Sequence, residues 1–168
     1  MAGLVSDLIE ILNTANASLS DLVELSKEKT DVIIANDMQE LQKITELEQI
    51  LTGRYQKLDR NREVLMNDIA SVLNIKSDNI TLTVLADAIK EQQEASALLD
   101  VMERLTATAF TLKEINDNNQ NLIDFTLDYL DFSINVMRSS QSSEPTLLTP
   151  QGEEISTVNQ GGMFDTTQ

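Results

Sequence analysis

The residues best equipped for chemistry in this chain are oxygen donors, because it holds no histidine and no cysteine. Without an imidazole or a thiol, the usual proton shuttle near neutral pH, thiolate nucleophiles and soft metal ligands are all missing. What remains is a run of carboxylates and carboxamides. Asp117, Asn119, Asn121 and Asp128 imitate the oxygen ligands of a calcium loop. Leu122 stands where such a loop needs the glycine of its sharp turn, and the surrounding pattern is helical, so a calcium site is not expected. Serines and threonines are plentiful but have no base beside them, and no glycine-rich phosphate cradle occurs. The expectation is a protein with no enzymatic activity, cofactor or metal.

Asn116 and Asn119 carry a different message. On a helix turning once per 3.6 residues, with Leu122 set at zero, they fall at about 120° and about 60°, inside an apolar stripe. A leucine would pack more stably there, and a buried carboxamide is tolerated only with hydrogen-bond partners. Two readings stay open: a polar layer that fixes the register of packed helices, or amides that meet the backbone of a bound peptide.

The element that must position these groups runs from about Leu98 to Arg138, and the spacing predicts one long helix. Leu98, Val101, Met102, Leu105, Ala109 and Leu112 begin a stripe between about 60° and about 160°, which Ile123, Leu127, Leu130, Ile134 and Met137 continue to the end. This is the expected core seam. A second stripe of Leu122, Phe125, Tyr129, Phe132 and Val136 lies between about 280° and about 360°, and it exists only after Asn121. Asn121, Asp124, Asp128, Asp131, Asn135 and Arg138 fill the remaining solvent wedge. The second stripe needs a cover. Packing of Phe125 and Phe132 on a short helix near Leu85 is one expectation, and a partner is the other.

Two further long patterns precede this element. Leu4, Leu8, Ile11, Leu12, Ala15, Leu19, Leu22, Val23 and Ile33 mark a first helix over 1–35. Asn36-Asp37 interrupts the spacing, and Glu40 three residues after Asp37 resembles a capping box. Apolar residues from Met38 to Leu73 mark a second helix of similar length, giving a hairpin roughly 50 Å long. Gly53 sits inside it. Thr81 or Thr83 is placed to cap a short helix through Ile89, followed by a kink near Gln92. After Arg138 the chain has no basic residue, two prolines and three glycines, which predicts a flexible acidic tail over 139–168 beyond a helical bundle over 1–138. The fold class is all-α: an elongated antiparallel bundle of three long helices plus a short one.

Composition narrows the partners. A net charge of −16 opposes nucleic acid and anionic membranes, whose phosphates attract lysine and arginine. No apolar run reaches the ~18 residues that span a bilayer, and no signal pattern opens the chain, so a cytosolic protein is expected. The same charge predicts a monomer or weak dimer.

Ile115-Asn116-Asp117-Asn118-Asn119-Gln120-Asn121-Leu122-Ile123 resembles the L-N-x-x-N-x-x-L-L signature of FlgN-type flagellar export chaperones. Glu144-Pro145-Thr146-Leu147-Leu148, followed by Gly152, is similar to that family's E-P-T-L-Y-x-x-x-G segment. The resemblance covers essentially the whole chain. It implies a cytosolic chaperone that binds the C-terminal segments of hook-associated (hook-filament junction) proteins and brings them to the flagellar type III export gate. Asn116, Asn119, Leu122, Phe125, Tyr129, Phe132 and Val136 are then the partner-binding candidates. Leu147 and Leu148 are the gate-docking candidates, although Leu148 stands where the family carries a tyrosine. The competing expectation is a self-associating coiled-coil adaptor in which the second stripe is an oligomer seam.

Overall fold

Asn36 and Asp37 turn the chain between its first two helices in the computed structural model, which describes residues 2–89 and 93–141. Helix α1 spans Ala2–Ala35 and α2 spans Met38–Leu73. Asn36 takes φ 56°, the left-handed region that asparagine tolerates better than most residues. The Asp37 carboxylate accepts the Glu40 amide at 3.1 Å, capping α2. Half of the expected capping box is thus formed; the Glu40 carboxylate instead accepts from Lys43 at 2.7 Å. That contact holds the exposed Lys43 ammonium above its ordinary pKa.

At its far end α2 closes on Asn74, again left-handed at φ 55°, where the Ile75 amide donates to the Ala70 carbonyl at 3.0 Å. A 3-10 turn at Ser77–Asn79 leads to α3, Leu82–Ala88, and the last helix, α4, spans Glu94–Gln141. Thr81, not Thr83, caps α3, accepting from the Val84 amide at 3.1 Å. The expected third helix therefore begins four residues before Leu98 and runs three past Arg138. The kink near Gln92 and the tail over 142–168, with Leu147 and Leu148, lie outside the described residues. Among the described residues there is no strand, and no helix is long and apolar enough to cross a membrane.

The chain divides into two compact units after Leu127. In the first unit, the core gathers where four helices meet. Val5, Leu8 and Leu12 of α1 pack with Met66 and Ile69 of α2, Leu85 and Ile89 at α3, and Ala95, Leu98 and Val101 of α4. Burying a side chain of leucine or isoleucine size contributes roughly 1.5–3 kcal/mol, so this end of the bundle supplies a large share of the stability. Leu85 is spent here, fully buried.

Side chains bridging α1 and α4 run in step. Arg104 donates to Asn13 at 2.9 Å, Ser26 donates to Asn116 at 3.0 Å, and Thr30 donates to Asn119 at 2.6 Å. Both numbers of each pair rise together, so α1 and α4 are parallel and α2 returns antiparallel between them in sequence. At this register Ala35, the last residue of α1, falls level with Asp124 or Phe125. That limit corrects two expectations. The seam through Leu98 does not stay buried to the end of α4: Leu127 is exposed in the first unit, where α1 has run out, and in the second unit Leu130, Ile134 and Met137 are exposed. Nor is Phe125 packed on the short helix near Leu85, being 72% exposed; Phe132, in the second unit, is 66% exposed. The second unit, of which Asp128–Gln141 is described, is the continuing helix with Tyr129, Leu130, Phe132, Ile134, Val136 and Met137 all exposed.

Candidate functional site

The polar layer is built from α1 upward. Ser26 occupies a core position of α1, three residues after Val23 and four after Leu22, and is fully buried. Its hydroxyl donates to Asn116 Oδ1, and its backbone carbonyl accepts Asn119 Nδ2 at 2.9 Å. Thr30, one turn further on, donates its hydroxyl to Asn119 Oδ1. Asn119 is 3% exposed with both ends of its carboxamide occupied by α1. Sliding α4 by one residue along α1 would break these contacts and leave buried polar groups unpaired, at about 1–3 kcal/mol each. The arrangement sets register. Asn116 is more open: its side-chain oxygen takes the Ser26 hydroxyl while the residue as a whole stays exposed.

Beside this layer lies a cavity of about 540 Å³ walled by all three long helices. Ser26, Asn116, Asn119 and Gln120 line one side; Thr45, Gln49, Thr52 and Gln56 line the α2 side. Lys29 and Glu48, each about four-fifths buried, close one wall as an ion pair at 2.6 Å linking α1 to α2. Gly53 also lines the cavity, and a Cβ there would meet nothing within 4 Å. Near this level of α2, burial raises the pKa of the Tyr55 phenol; Asp59 raises it further and Arg62 partly offsets both.

The remaining partner-binding candidates follow the polar layer along α4. Leu122 is partly buried, Phe125 is exposed, and both belong to the first unit. In the second, Tyr129, Phe132 and Val136 recur at i, i+3 and i+7, so one helix face presents all three to solvent. Residues 117–128 are helical throughout, so Asp117, Asn119, Asn121 and Asp128 are strung along a helix rather than folded into a loop. Among the described residues no group of three or more carboxylates could hold a metal ion.

Three participants were missed from the sequence. Ser26 and Thr30 complete the polar layer, and the signal for Ser26 was a serine standing on the apolar stripe of α1. Phe110 is exposed on the wedge of α4 otherwise given to polar groups, a lone aromatic that the stripe pattern passes over.

The family model described as FlgN protein matches residues 1–154 of this chain. No curated protein and no solved structure matches it.

Proposed function

The chain belongs to the FlgN family, and from that premise we propose that this flagellar export chaperone binds the C-terminal helical segments of hook-associated proteins and delivers them to the flagellar type III export gate. The observation that carries the reading is the exposed apolar surface at the end of α4, led by Phe125 and Phe132. Monomeric proteins rarely leave a contiguous apolar face uncovered, and a helix presenting anchors at i, i+3, i+4 and i+7 is the usual half of a helix-in-groove contact. Five such side chains contribute several kcal/mol on burial at roughly 25 cal/mol per Å², before the cost of ordering the partner.

The roles divide along the chain. Asn119 holds α4 in register on α1, and the open carboxamide of Asn116 lies at the start of the binding face, which continues through Leu122, Phe125, Tyr129, Phe132 and Val136. Leu147 and Leu148, in the segment matching the family's tail motif, dock on the gate, with Leu148 filling an apolar dimple in place of a tyrosine. The protein acts in the cytoplasm as a monomer or weak dimer. A seam between copies would also cover the stripe, but a charge of −16 per chain opposes that pairing.

Calorimetry with a C-terminal peptide of a hook-associated protein tests the reading. The double variant Phe125→Ser, Phe132→Ser is expected to lose at least tenfold in affinity, about 1.4 kcal/mol, while keeping its melting transition. Unchanged affinity in the folded variant would move the binding face elsewhere.

A further inference from the structure

A second groove, of about 340 Å³, is lined by α1 and α2, and its walls differ in kind, three carboxylates standing on the α1 side and an α2 side that is apolar apart from Arg54. Helix α1 contributes Asp21, Glu24, Leu25 and Glu28, and α2 contributes Leu47, Ile50, Leu51 and Arg54. Both sets follow the i, i+3, i+4, i+7 spacing of a single helix face. Leu25 is buried and Leu51 partly so, forming the floor, whereas Leu47 and Ile50 stand half exposed on the α2 side. Asp21, Glu24 and Glu28 are exposed on the α1 side. Glu24 pairs with Lys27 at 2.7 Å, a solvated contact along one helix that competes only weakly with a partner cation.

We propose that this groove docks an amphipathic helix of a partner protein flanked by lysine or arginine. The partner's apolar stripe lies on Leu47 and Ile50, and its cations face Asp21, Glu24 and Glu28. The separation of the walls fixes how that helix is rotated: turned over, it would place charge on leucine and leave three carboxylates against an apolar surface. The same charge pattern selects among occupants. A second copy of this chain brings −16 to an acidic wall, and the chain's own segment after Arg138 has no lysine or arginine with which to answer it. The groove shares no residue with the α4 stripe, so binding at each can be tested apart from the other.

The test uses the full chain and a labelled synthetic helix of about 20 residues, long enough to cross the groove, with leucines at the apolar positions and lysines beside them. A control peptide carries glutamate in place of lysine. Fluorescence anisotropy is expected to show binding of the lysine peptide only, weakened at least tenfold by Leu47→Ser with Ile50→Ser. Glu24→Gln with Glu28→Gln is expected to weaken it at least threefold and to flatten its salt dependence. Phe125→Ser with Phe132→Ser should leave it unchanged, which separates this surface from the cargo face. Equal binding of the glutamate peptide, or loss of binding only in the phenylalanine variant, overturns the proposal. So does a fall in the mass of the free chain by light scattering when Leu47 and Ile50 are replaced, which would make the occupant a second copy. Should that replacement lower the melt, the carboxamide pair, which alters only exposed positions, decides the question.

Discussion

Thr30 donates its hydroxyl to the carboxamide oxygen of Asn119 across 2.6 Å, tying the last turns of α1 to the middle of α4. The bond lies a few residues before α1 ends, near the limit of what α1 covers within the first unit. Upstream, Leu98 and Val101 are fully buried; downstream, Phe125 and Leu127 are exposed. A register slip at this layer would leave the buried Asn119 carboxamide without its α1 partners.

Asn119→Ala is expected to cost about 1–3 kcal/mol, since it removes two hydrogen bonds from a buried carboxamide, while the Thr30 hydroxyl keeps the Ser26 carbonyl as an acceptor at 3.1 Å. Combining Asn119→Leu with Thr30→Val replaces both polar partners by apolar groups and should recover most of that loss. Urea denaturation gives both numbers. A neutral Asn119→Ala would mean that the layer contributes nothing to holding α4.

Gly53→Ala is expected to stabilise the fold by about 0.4–1 kcal/mol. Its site is interior to α2 and open to an added methyl group, and alanine restricts the unfolded chain more than glycine does. A rise in melting temperature checks it. A clear fall would show that the backbone there needs a freedom alanine lacks.

Tyr55 supplies the pH test. Its pKa is raised above the ordinary value near 10, chiefly by burial and then by Asp59, against the opposing pull of Arg62. A group that holds its proton more tightly when folded contributes stability that is fully present below the unfolded pKa. That contribution is lost as pH rises through the folded one. Wild type should therefore lose stability relative to Tyr55→Phe only above about pH 10. Thermal melts of both across pH 7 to 11 read this out, and a gap that opens well below pH 10 would exclude Tyr55 as its source.

The helices were legible because their signals are local. The spacing of Leu4 to Ile33 and of Met38 to Leu73, the Asn36-Asp37 turn and the Thr81 cap all depend on neighbours a few residues away. That Phe125 and Leu127 stand exposed was not legible, because it depends on the register of α1 against α4, set by Ser26, Thr30 and Asn119 some ninety positions apart. The seam from Ile123 to Met137 carries the same periodic pattern whether or not a helix lies against it. The two asparagines stood out on an apolar stripe; that Ser26 and Thr30 would satisfy them is a tertiary fact.

Removing everything after Gln141 should leave the melting transition in place, because the core that unites the four helices lies between Val5 and Val101. Leu148→Asp in the full chain should likewise keep the fold while reducing export of the hook-associated cargo, since a carboxylate resists transfer into an apolar dimple. Loss of the cooperative melt on truncation would place part of the folding unit in the tail. Normal export with Leu148→Asp would remove that residue from gate docking.

Leu98 and Phe125 lie on the same helix, one fully buried and one exposed, and their substitutions should separate cleanly. Leu98→Ala removes packed methyl groups from the junction of four helices and is expected to cost about 2–5 kcal/mol, because the cavity it leaves is only partly refilled. Phe125→Ser removes a larger side chain but one already in water, and should stay within about 0.5 kcal/mol of the parent. Denaturant melts rank the two directly. If Phe125→Ser proved as costly as Leu98→Ala, the ring would have a packing partner in solution, and the surface assigned to cargo would instead belong to the chain's own fold.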